Sequence, residues 1–430
     1  MNPYKRSIEE LFSRRQIADR HGLPELRAYL KALGNPQDSF KSVHVTGTNG
    51  KGSVCALVAQ TLRCAGYRTG LFISPHLVDV RERIQIDGKP ISPRELMTLM
   101  AEVSRGSRLN LTFFETLTLA AFVYFARRGV DYAVIEVGIG GRLDVTNIIA
   151  RPEVSVITSV GLDHVGLLGD SVEKIAFEKA GIIKRGAPCV CGKLPPSALA
   201  VVKKQAAAMG SKLRFPSGER VFHAAGTDWR GRKLLLSSGG NATLRLNLLG
   251  DYQAANASVA AEAVAALNDA GARISRSALK KAFRIADWRG RFQVVRRGSR
   301  TVVLDGGHNP DAAAVFSREF AKSPFAEKKV TFVLGLLKDK DCIAIVRALR
   351  PHLGRVIVTA PASARALDTE ELSALVLSVR PDAEILVQRD AARALKAALR
   401  APVCVVAGSF YLVGVALRLL GAMKKTELKC

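Results

Sequence analysis

The sequence offers little that would place the protein in a membrane or outside the cell. The N-terminal stretch MNPYKRSIEELFSRR has no apolar segment of the kind that a secretory signal requires. The longest apolar stretch, APVCVVAGSFYLVGVAL at 401–417, is shorter than the about 20 residues of a membrane-spanning helix and contains Gly408 and Ser409. We interpret it as a strand, a tight loop and a helix, and we expect a cytoplasmic protein without membrane contact.

Cysteine is also scarce, with seven residues scattered over a chain of 430. Cys189 and Cys191 do not have the spacing of a zinc-binding pair, and no second pair accompanies them. We therefore expect reduced thiols. No Ser-His-Asp or Cys-His arrangement is recognisable in the sequence.

Acidic residues are few relative to basic ones: 38 Asp and Glu against 64 Lys and Arg give a formal net charge of +26. The basic residues stand singly or in pairs, and no aromatic-rich nucleic-acid motif lies among them. The charge alone is compatible with nucleic-acid binding, with a solvated basic surface, or with attraction of polyanionic small substrates.

What the chain does contain is a glycine-rich loop within VHVTGTNGKGS, at 43–53. Alternating Val43 and Val45 predict a strand before the loop, and apolar residues at helical spacing in SVCALVAQTLRCAG predict a helix after it. Glycines between a strand and a helix N-terminus let backbone N–H groups surround an anion. Lys51 would add charge for the outer phosphates and Ser53 a hydroxyl for magnesium, although the spacing differs from the usual Walker motif. We predict a phosphate-binding loop in preference to an ordinary glycine turn.

Short β-branched segments alternate with stretches long enough for a helix, which indicates an α/β protein built from βαβ units. We predict a P-loop-containing N-terminal domain at 1–290, with a central, mostly parallel sheet and a small edge β-region of hairpin-like strands within 211–249. A second alternating series predicts a smaller Rossmann-like α/β domain at 291–430. The polar, basic segment ADWRGRFQVVRRGSR, at 286–300, contains the predicted boundary.

Further candidate residues follow the predicted strands, because ligands of open α/β sheets bind where the strands end. Glu136 ends the strand YAVIEVG, and His164 follows VSVITSVGLD. Either residue could serve structure alone, and the preference of magnesium for oxygen weakens a metal role for His164. Asp305 and His308 follow a strand in LDGGHNPDAA, either as a capping loop or as part of a site shared by two domains.

Two basic residues complete this set. Arg291 could bind a phosphate with its fixed fork of donors. Lys179 lies fifteen residues after His164 on a predicted helix, where a solvated surface lysine is the default interpretation.

Taken in order, these segments resemble the folylpolyglutamate synthase/dihydrofolate synthase family of the Mur ligase superfamily, over roughly residues 40–414. The matching motifs are TGTNGKGS, SPHLVDVRERI, TFFETLTLAAF, EVGIGGRLDVTN, GLDHVGLLG, FEKAGI, GRFQ, LDGGHNPDAA, LGLLKDKD and GSFYLVG. SPHLVDVRERI and TFFE favour the folate branch over the cell-wall branch. The sequence departs from the family pattern at Arg289, where proline is common, and at Gly307, where alanine is frequent.

The resemblance implies an ATP-dependent amide ligase that attaches L-glutamate to a pteroate or folate carboxylate and uses two Mg2+ ions. It implies Ser53 on one ion, and Glu136 and His164 on the other, with a carbamylated Lys179 near them. The implied catalytic residues are Lys51, Glu136, His164 and Lys179. The implied nucleotide site comprises Gly47, Thr48, Asn49, Gly50, Lys51, Gly52, Ser53, Asn256, Arg291, Asp305 and His308. The implied folate pocket comprises Ser74, His76, Arg83, Thr112, Phe114 and Asp144, and Ser409 would contact the incoming glutamate.

The resemblance favours a bifunctional enzyme that acts on 7,8-dihydropteroate and on tetrahydrofolates and releases ADP and phosphate. The alternatives are a monofunctional folylpolyglutamate synthase and a nucleic-acid-stimulated P-loop ATPase. The expected partners are small molecules, namely dihydropteroate, reduced folates and L-glutamate, with no nucleic acid and no membrane. The protein is expected to be a monomer.

Overall fold

The computed structural model describes residues 3–12, 21–106, 109–238 and 242–427. The chain divides into two compact units. The first comprises Met1–His223, Leu236–Arg245 and Gln253–Ala286, and the second comprises Ala224–Leu235, Leu246–Tyr252 and Asp287–Cys430. The division into domains at residue 290 stays a prediction.

The first unit contains an eight-stranded sheet. Its strands are β1 (Lys41–Thr46), β2 (Thr69–Phe72), β3 (Ile84–Ile86), β4 (Lys89–Pro90), β5 (Tyr132–Glu136), β6 (Val154–Ile157), β7 (Cys189–Cys191) and β8 (Leu213–Arg214). The strand order is β4-β3-β2-β5-β1-β6-β7-β8, and neighbours from β2 to β8 are parallel, whereas β3 and β4 pair in antiparallel fashion. In β1, Val43, His44 and Val45 are all buried, as expected for a central parallel strand covered on both faces.

Helices cover this sheet and supply its core. They are α1 (Pro3–Phe12), α2 (Leu23–Ala32), α3 (Lys51–Cys64), α4 (Pro93–Arg105), α5 (Phe113–Arg127), α6 (Val165–Leu168), α7 (Val172–Ala180), α8 (Pro196–Ala208), α9 (Tyr252–Asp269) and α10 (Arg276–Ile285). Leu30, Phe122 and Phe125 belong to one buried cluster, and Ile175 and Val202 belong to another. The alternation of strand and helix places the loops after β1, β5 and β6 at one edge of the sheet.

A separate three-stranded sheet consists of β9 (His223–Asp228), β10 (Lys233–Ser238) and β11 (Ala242–Leu246), in the order β11-β10-β9. The hairpin-like strands predicted at KLLLSS and TLRLNLLG correspond to β10 and β11. The prediction is wrong for KLRFPS, because Leu213–Arg214 pairs in parallel with β7. The helix α8 provides the long crossover that a parallel neighbour needs.

The second unit contains a six-stranded sheet of order β12-β13-β17-β14-β15-β16. These strands are β12 (Gln293–Arg297), β13 (Arg300–Leu304), β14 (Val330–Leu334), β15 (Arg355–Ala360), β16 (Glu384–Asp390) and β17 (Val403–Ala407). Only the β12–β13 pair is antiparallel among them. The helices are α11 (Pro310–Ala321), α12 (Cys342–Leu349), α13 (Thr369–Val379), α14 (Ala391–Ala398) and α15 (Phe410–Glu427), and Phe316, Phe320 and Phe332 lie in the core.

The predicted α/β class, with two successive series of parallel strands, is confirmed. The apolar stretch at 401–417 forms β17, a loop at Gly408 and Ser409, and the start of α15, as predicted. In the part of the chain that the structure describes, no helix has both the length and the apolar character that crossing a bilayer requires.

Candidate active site

The predicted phosphate-binding loop at 47–53 (the phosphate loop) is fixed by the loop that follows β6. The Thr48 N–H donates to the Ser159 carbonyl oxygen (2.8 Å), and the Asn49 N–H donates to the Ser159 hydroxyl (2.9 Å). The Thr158 hydroxyl donates to the Asn49 carbonyl oxygen over 2.6 Å. Because β1 and β6 are adjacent, the two loops meet at the end of the sheet, and the phosphate loop has a defined shape.

Lys51 begins α3, and its side chain folds back over the loop. Its ammonium donates to the carbonyl oxygens of Gly47 (2.8 Å) and Thr48 (3.3 Å). Gly50 precedes the helix with a φ of 87°, and Ser53 is buried in the first turn after Gly52. The predicted loop residues therefore surround a helix N-terminus, where backbone N–H groups and the helix dipole favour an anion.

Asn256, on α9, also lies beside this loop. A Cβ atom on Gly50 would overlap the Asn256 side-chain oxygen, so the two residues are in close contact. The Asn256 amide donates to Gln253 Oε1 over 2.8 Å, which orients it. The structure brings Asn256 to the phosphate loop, and its role in nucleotide binding stays a prediction.

Gly47→Ala is expected to lower the free energy of unfolding by about 3 kcal/mol, because the change combines backbone strain with a steric overlap. Gly47 has a φ of 151°, and an added Cβ would overlap the Thr158 hydroxyl. Gly129→Ala is the control: its φ is 58°, and its Cβ would meet no described atom within 4 Å beyond its chain neighbours. Backbone strain alone predicts that Gly129→Ala lowers the free energy of unfolding by about 1 kcal/mol. Urea unfolding of both variants measures the difference, and equal losses would contradict the overlap.

Glu136 ends β5, which neighbours β1 in the sheet. Its side chain is buried, and its Oε2 accepts a hydrogen bond from the backbone N–H of Ser74 over 3.0 Å. A predicted catalytic carboxylate thus contacts a residue of the predicted folate pocket.

Lys179 lies in the last turn of α7 and is only 3% exposed. Burial, followed by the charge of Lys51, lowers the pKa of Lys179 to about 7, whereas Asp163 acts in the opposite direction. The interpretation as a solvated surface lysine is therefore wrong. Because the pKa is lowered, a larger fraction of Lys179 than of an exposed lysine is a neutral amine at neutral pH.

His164 directly follows Asp163 and adopts a left-handed backbone conformation with a φ of 52°. Its backbone N–H donates to Asp163 Oδ1 (2.9 Å), and its ring Nε2 lies 3.9 Å from the same oxygen. The side chain is 28% exposed. The Asp163 carboxylate therefore lies close to the predicted metal ligand His164, and its charge also acts on Lys179.

The donor set fits Mg2+ in part. Magnesium commonly binds through one or two protein oxygens together with substrate phosphates, and Ser53 and Glu136 supply such oxygens. The imidazole of His164 is a poorer match for this ion. Among the described residues, no group of three or more His, Cys, Asp and Glu side chains is arranged to hold a metal.

The predicted folate residues form two contact groups besides Ser74. In the first, Arg83 Nε donates to His76 Nδ1 over 2.9 Å, and the Arg83 guanidinium lies 5.0 Å from the centre of the Phe113 ring. In the second, Phe114 and Asp144 both lie against Gly138. A Cβ there would be 2.6 Å from the Phe114 ring and 3.1 Å from Asp144 Oδ2.

Hydrogen bonds fix the elements that carry this second group. Asp144 is buried, and its carboxylate accepts the N–H groups of Ile139 and Thr146, each over 3.0 Å. Burial raises the pKa of Asp144. Thr112 caps α5, because its hydroxyl accepts the Glu115 N–H and the Glu115 carboxylate accepts the Thr112 N–H. This capping box fixes the first turn of α5, which contains Phe114.

Asp305 follows β13 in the second unit, and its side chain holds two backbone segments by hydrogen bonds. Its carboxylate accepts the N–H groups of Phe292 (2.8 Å) and Gly307 (2.7 Å). Burial raises the pKa of Asp305, whereas the nearby Arg291 acts in the opposite direction. The capping-loop interpretation thus accounts for two of its contacts, and a role toward the nucleotide stays a prediction.

The Phe410 ring brings together the other predicted residues of the second unit. The Arg291 guanidinium lies 4.4 Å from the ring centre, and the His308 ring centre lies 5.4 Å from it. Ser409, the preceding residue, is buried, and its hydroxyl accepts the Tyr411 N–H over 3.1 Å. Whether Arg291, His308 and Ser409 act on nucleotide and glutamate stays a prediction.

Sequence reasoning missed three residues that organise the site. Asp163 and Phe410 stand inside the quoted motifs GLDHVGLLG and GSFYLVG, so their position in the motif was a usable signal. Ser159, which holds the phosphate loop, lies in the quoted strand segment VSVITSVGLD but outside the motifs of the family resemblance, so it gave no such signal.

The chain matches two family models. Residues 45–264 match the Mur ligase middle domain, and residues 290–410 match the Mur ligase glutamate ligase domain.

Curated relatives are similar over most of the chain. A folylpolyglutamate synthase of Lacticaseibacillus casei is 36% identical over 384 residues, with 86% of this chain and 89% of the relative covered. A dihydrofolate synthase/folylpolyglutamate synthase of Mycobacterium tuberculosis is 37% identical over 375 residues, which cover 82% of this chain and 76% of the relative. A probable bifunctional folylpolyglutamate synthase/dihydropteroate synthase of Haloferax volcanii is 37% identical over 390 residues. That match covers 86% of this chain and 45% of the relative.

Solved structures agree with these matches. A Mycobacterium tuberculosis folylpolyglutamate synthase complexed with ADP superposes with a TM-score of 0.87 at 32% identity, covering 97% of this chain and 99% of that one. The structure of E. coli FolC in complex with DHPP and ADP superposes with a TM-score of 0.85 at 29% identity, covering 98% of this chain and 99% of that one. The chain therefore belongs to the folylpolyglutamate synthase/dihydrofolate synthase family of the Mur ligases and is an ATP-dependent ligase.

Proposed function

We propose that this ligase joins L-glutamate to the carboxylate of 7,8-dihydropteroate and to that of tetrahydrofolates. The observation that carries the proposal is the hydrogen bond between Glu136 and Ser74, which connects the region of the phosphate loop to the predicted acceptor pocket. The names of the relatives, which include both activities, support it.

The first step activates the acceptor, because a carboxylate is a poor acyl donor. An acceptor carboxylate oxygen attacks the γ-phosphorus of ATP, the bond to the β-phosphate oxygen breaks, and an acyl phosphate and ADP result. Charge on the transferred group must be neutralised, and we assign this role to Lys51 and to the N–H groups at the start of α3. The fold of the Lys51 side chain over the loop supports the assignment. Magnesium, with Ser53 and Glu136 as proposed ligands, would supply additional positive charge.

The second step forms the amide. The amine of L-glutamate attacks the acyl carbon, a C–N bond forms, phosphate leaves, and the nitrogen loses a proton. We assign Ser409 to the incoming glutamate, and Asn256, Arg291, Asp305 and His308 to the nucleotide. Exclusion of water protects the acyl phosphate from hydrolysis.

Lys179 is proposed to be carbamylated. Its ammonium first loses one proton, and the resulting neutral amine attacks CO2, so that an N–C bond forms and a second proton is released. A cation thereby becomes an anion, with two protons released in total. This change converts the repulsion between Lys179 and Lys51 into an attraction. It also supplies a carboxylate near the proposed metal ligands. A cytoplasmic location and a monomeric state remain predictions.

We expect ADP release in the presence of ATP, magnesium and L-glutamate with either 7,8-dihydropteroate or tetrahydrofolate as the acceptor. Each product should gain the mass of one glutamate residue, because the amide forms with loss of the phosphate. Turnover of one acceptor alone would reduce the function to a single activity. Hydrolysis of ATP that requires DNA or RNA and no acceptor would overturn the proposal.

A further inference from the structure

The last residue of α1, Phe12, lies against the predicted acceptor pocket. Its ring stacks on Phe113 with centres 4.6 Å apart and planes inclined by 20°, and it meets the His76 ring at 6.1 Å in an edge arrangement. His76 accepts the hydrogen bond from Arg83, whose guanidinium lies over Phe113. One aromatic side chain of α1 thus contacts the neighbours on both sides of Arg83.

The helix that carries Phe12 is anchored elsewhere. Leu11 is fully buried in the core, and the Tyr4 hydroxyl donates to Asp79 Oδ1 over 2.6 Å. The Arg81 guanidinium lies 5.7 Å from the centre of the Tyr4 ring. Asp79 and Arg81 belong to the segment that leads to Arg83, so α1 and this side of the pocket form one connected structure.

Phe12 nevertheless remains 51% exposed. Burial of a phenylalanine side chain is worth about 1.5–3 kcal/mol, and about half of that stabilisation is missing here. The anchored helix holds the ring in this position, beside Phe113, which is itself only partly buried. A planar ligand that covers the exposed part of Phe12 would complete the burial.

We infer that Phe12 forms an aromatic wall of the acceptor pocket, against which the bicyclic pterin ring of the acceptor packs. The inference rests on the proposed function and names a residue that determines acceptor affinity. Aromatic rings pack in offset-stacked or edge-to-face geometry, and Phe12 and Phe113 together offer both a face and an edge. The adjacent Arg83 and His76 supply polar groups for the heteroatoms of a pterin.

The test measures the affinity of dihydropteroate and tetrahydrofolate for Phe12→Ala and Phe12→Leu by equilibrium dialysis, with ADP present and glutamate absent. Steady-state kinetics with the same acceptors follow. We expect Phe12→Ala to raise both the Kd and the KM of the acceptors about tenfold, and Phe12→Leu about threefold, because leucine keeps apolar contact without the ring. The KM for ATP and the kcat at saturating acceptor should stay within about twofold of wild type, as for loss of uniform binding.

The control variant is Phe215→Ala. Phe215 is 40% exposed and follows β8, which forms one edge of the sheet. Arg83 of the predicted pocket directly precedes β3, which lies next to the other edge. Removal of the Phe215 ring should therefore leave acceptor affinity unchanged. An unchanged acceptor Kd in both Phe12 variants would overturn the inference while leaving the proposed function intact. If Phe12→Ala does not fold, Phe12→Leu decides. If the wild type neither binds nor converts either acceptor, the proposed function fails, and the inference fails with it.

Discussion

Lys51→Met is expected to lower ligase turnover by at least about a thousandfold, with the fold unchanged. Contacts that neutralise a transferred phosphoryl group contribute factors of about 10³–10⁵ to the rates of related reactions. Lys51 contacts the loop carbonyl oxygens of Gly47 and Thr48 and lies where the phosphates are predicted. Methionine keeps the length of the side chain and removes the charge. Steady-state ADP release, together with thermal unfolding, measures the two effects separately.

Lys41→Met is the matched control for this experiment. Lys41 stands at the other end of β1, its side chain is 49% exposed, and its partner Glu153 is 3.9 Å away. Exposed ion pairs of this kind contribute about 0–1 kcal/mol, so activity should stay within about twofold of wild type. If Lys51→Met retained a tenth or more of wild-type turnover, the assignment of the loop to phosphoryl transfer would be wrong.

Removal of dissolved CO2 is expected to lower wild-type activity by more than about tenfold, and bicarbonate should restore it. The expectation follows from the proposed carbamate on Lys179, whose loss would remove one carboxylate from a charged catalytic site. Lys179→Met should be nearly inactive and insensitive to CO2. Lys184→Met is the control, because Lys184 is another partly buried lysine, whose pKa is lowered to about 8 chiefly by burial. This variant should keep the dependence on CO2.

The rate of reactivation should rise with pH. Only the neutral amine reacts with CO2, and burial lowers the pKa of Lys179 to about 7. Its neutral fraction therefore rises from about one tenth at pH 6 to about nine tenths at pH 8. Initial reactivation rates at a fixed concentration of dissolved CO2 measure this profile. Full activity of wild type without CO2, or reactivation that slows as the pH rises, would contradict the carbamate.

The strand–loop–helix arrangement around residues 47–53 and the parallel sheets could be predicted because their signals are local. Three glycines at 47, 50 and 52 between a β-branched strand and an apolar helix specify the loop by backbone freedom alone. Relations between distant segments were harder to predict. Leu213–Arg214 is a strand of two residues, too short for an alternating pattern, and only its position beside β7 identifies it.

The burial of Lys179 shows the same limit within the site. The charged Glu178 directly precedes it in FEKAG, and nothing in the local pattern indicates a buried lysine. The loop after β5 covers the helix instead: a Cβ on Gly141 would lie 2.8 Å from the Glu178 carbonyl oxygen and 3.0 Å from that of Lys179. This close approach depends on tertiary packing, and periodicity does not encode it. The resemblance to a family, in contrast, pointed to Lys179 directly.

The hydrogen bond from the Ser74 N–H to Glu136 has a thermodynamic consequence. If Glu136 binds a metal ion as proposed, its carboxylate contacts both the metal–nucleotide complex and Ser74 of the predicted acceptor pocket. Any coupling between two binding events is reciprocal. The factor by which the acceptor changes the affinity for the metal–nucleotide complex must then equal the factor by which that complex changes the affinity for the acceptor. A single backbone N–H would thereby contribute to the coupling between the binding of the metal–nucleotide complex and the binding of the acceptor.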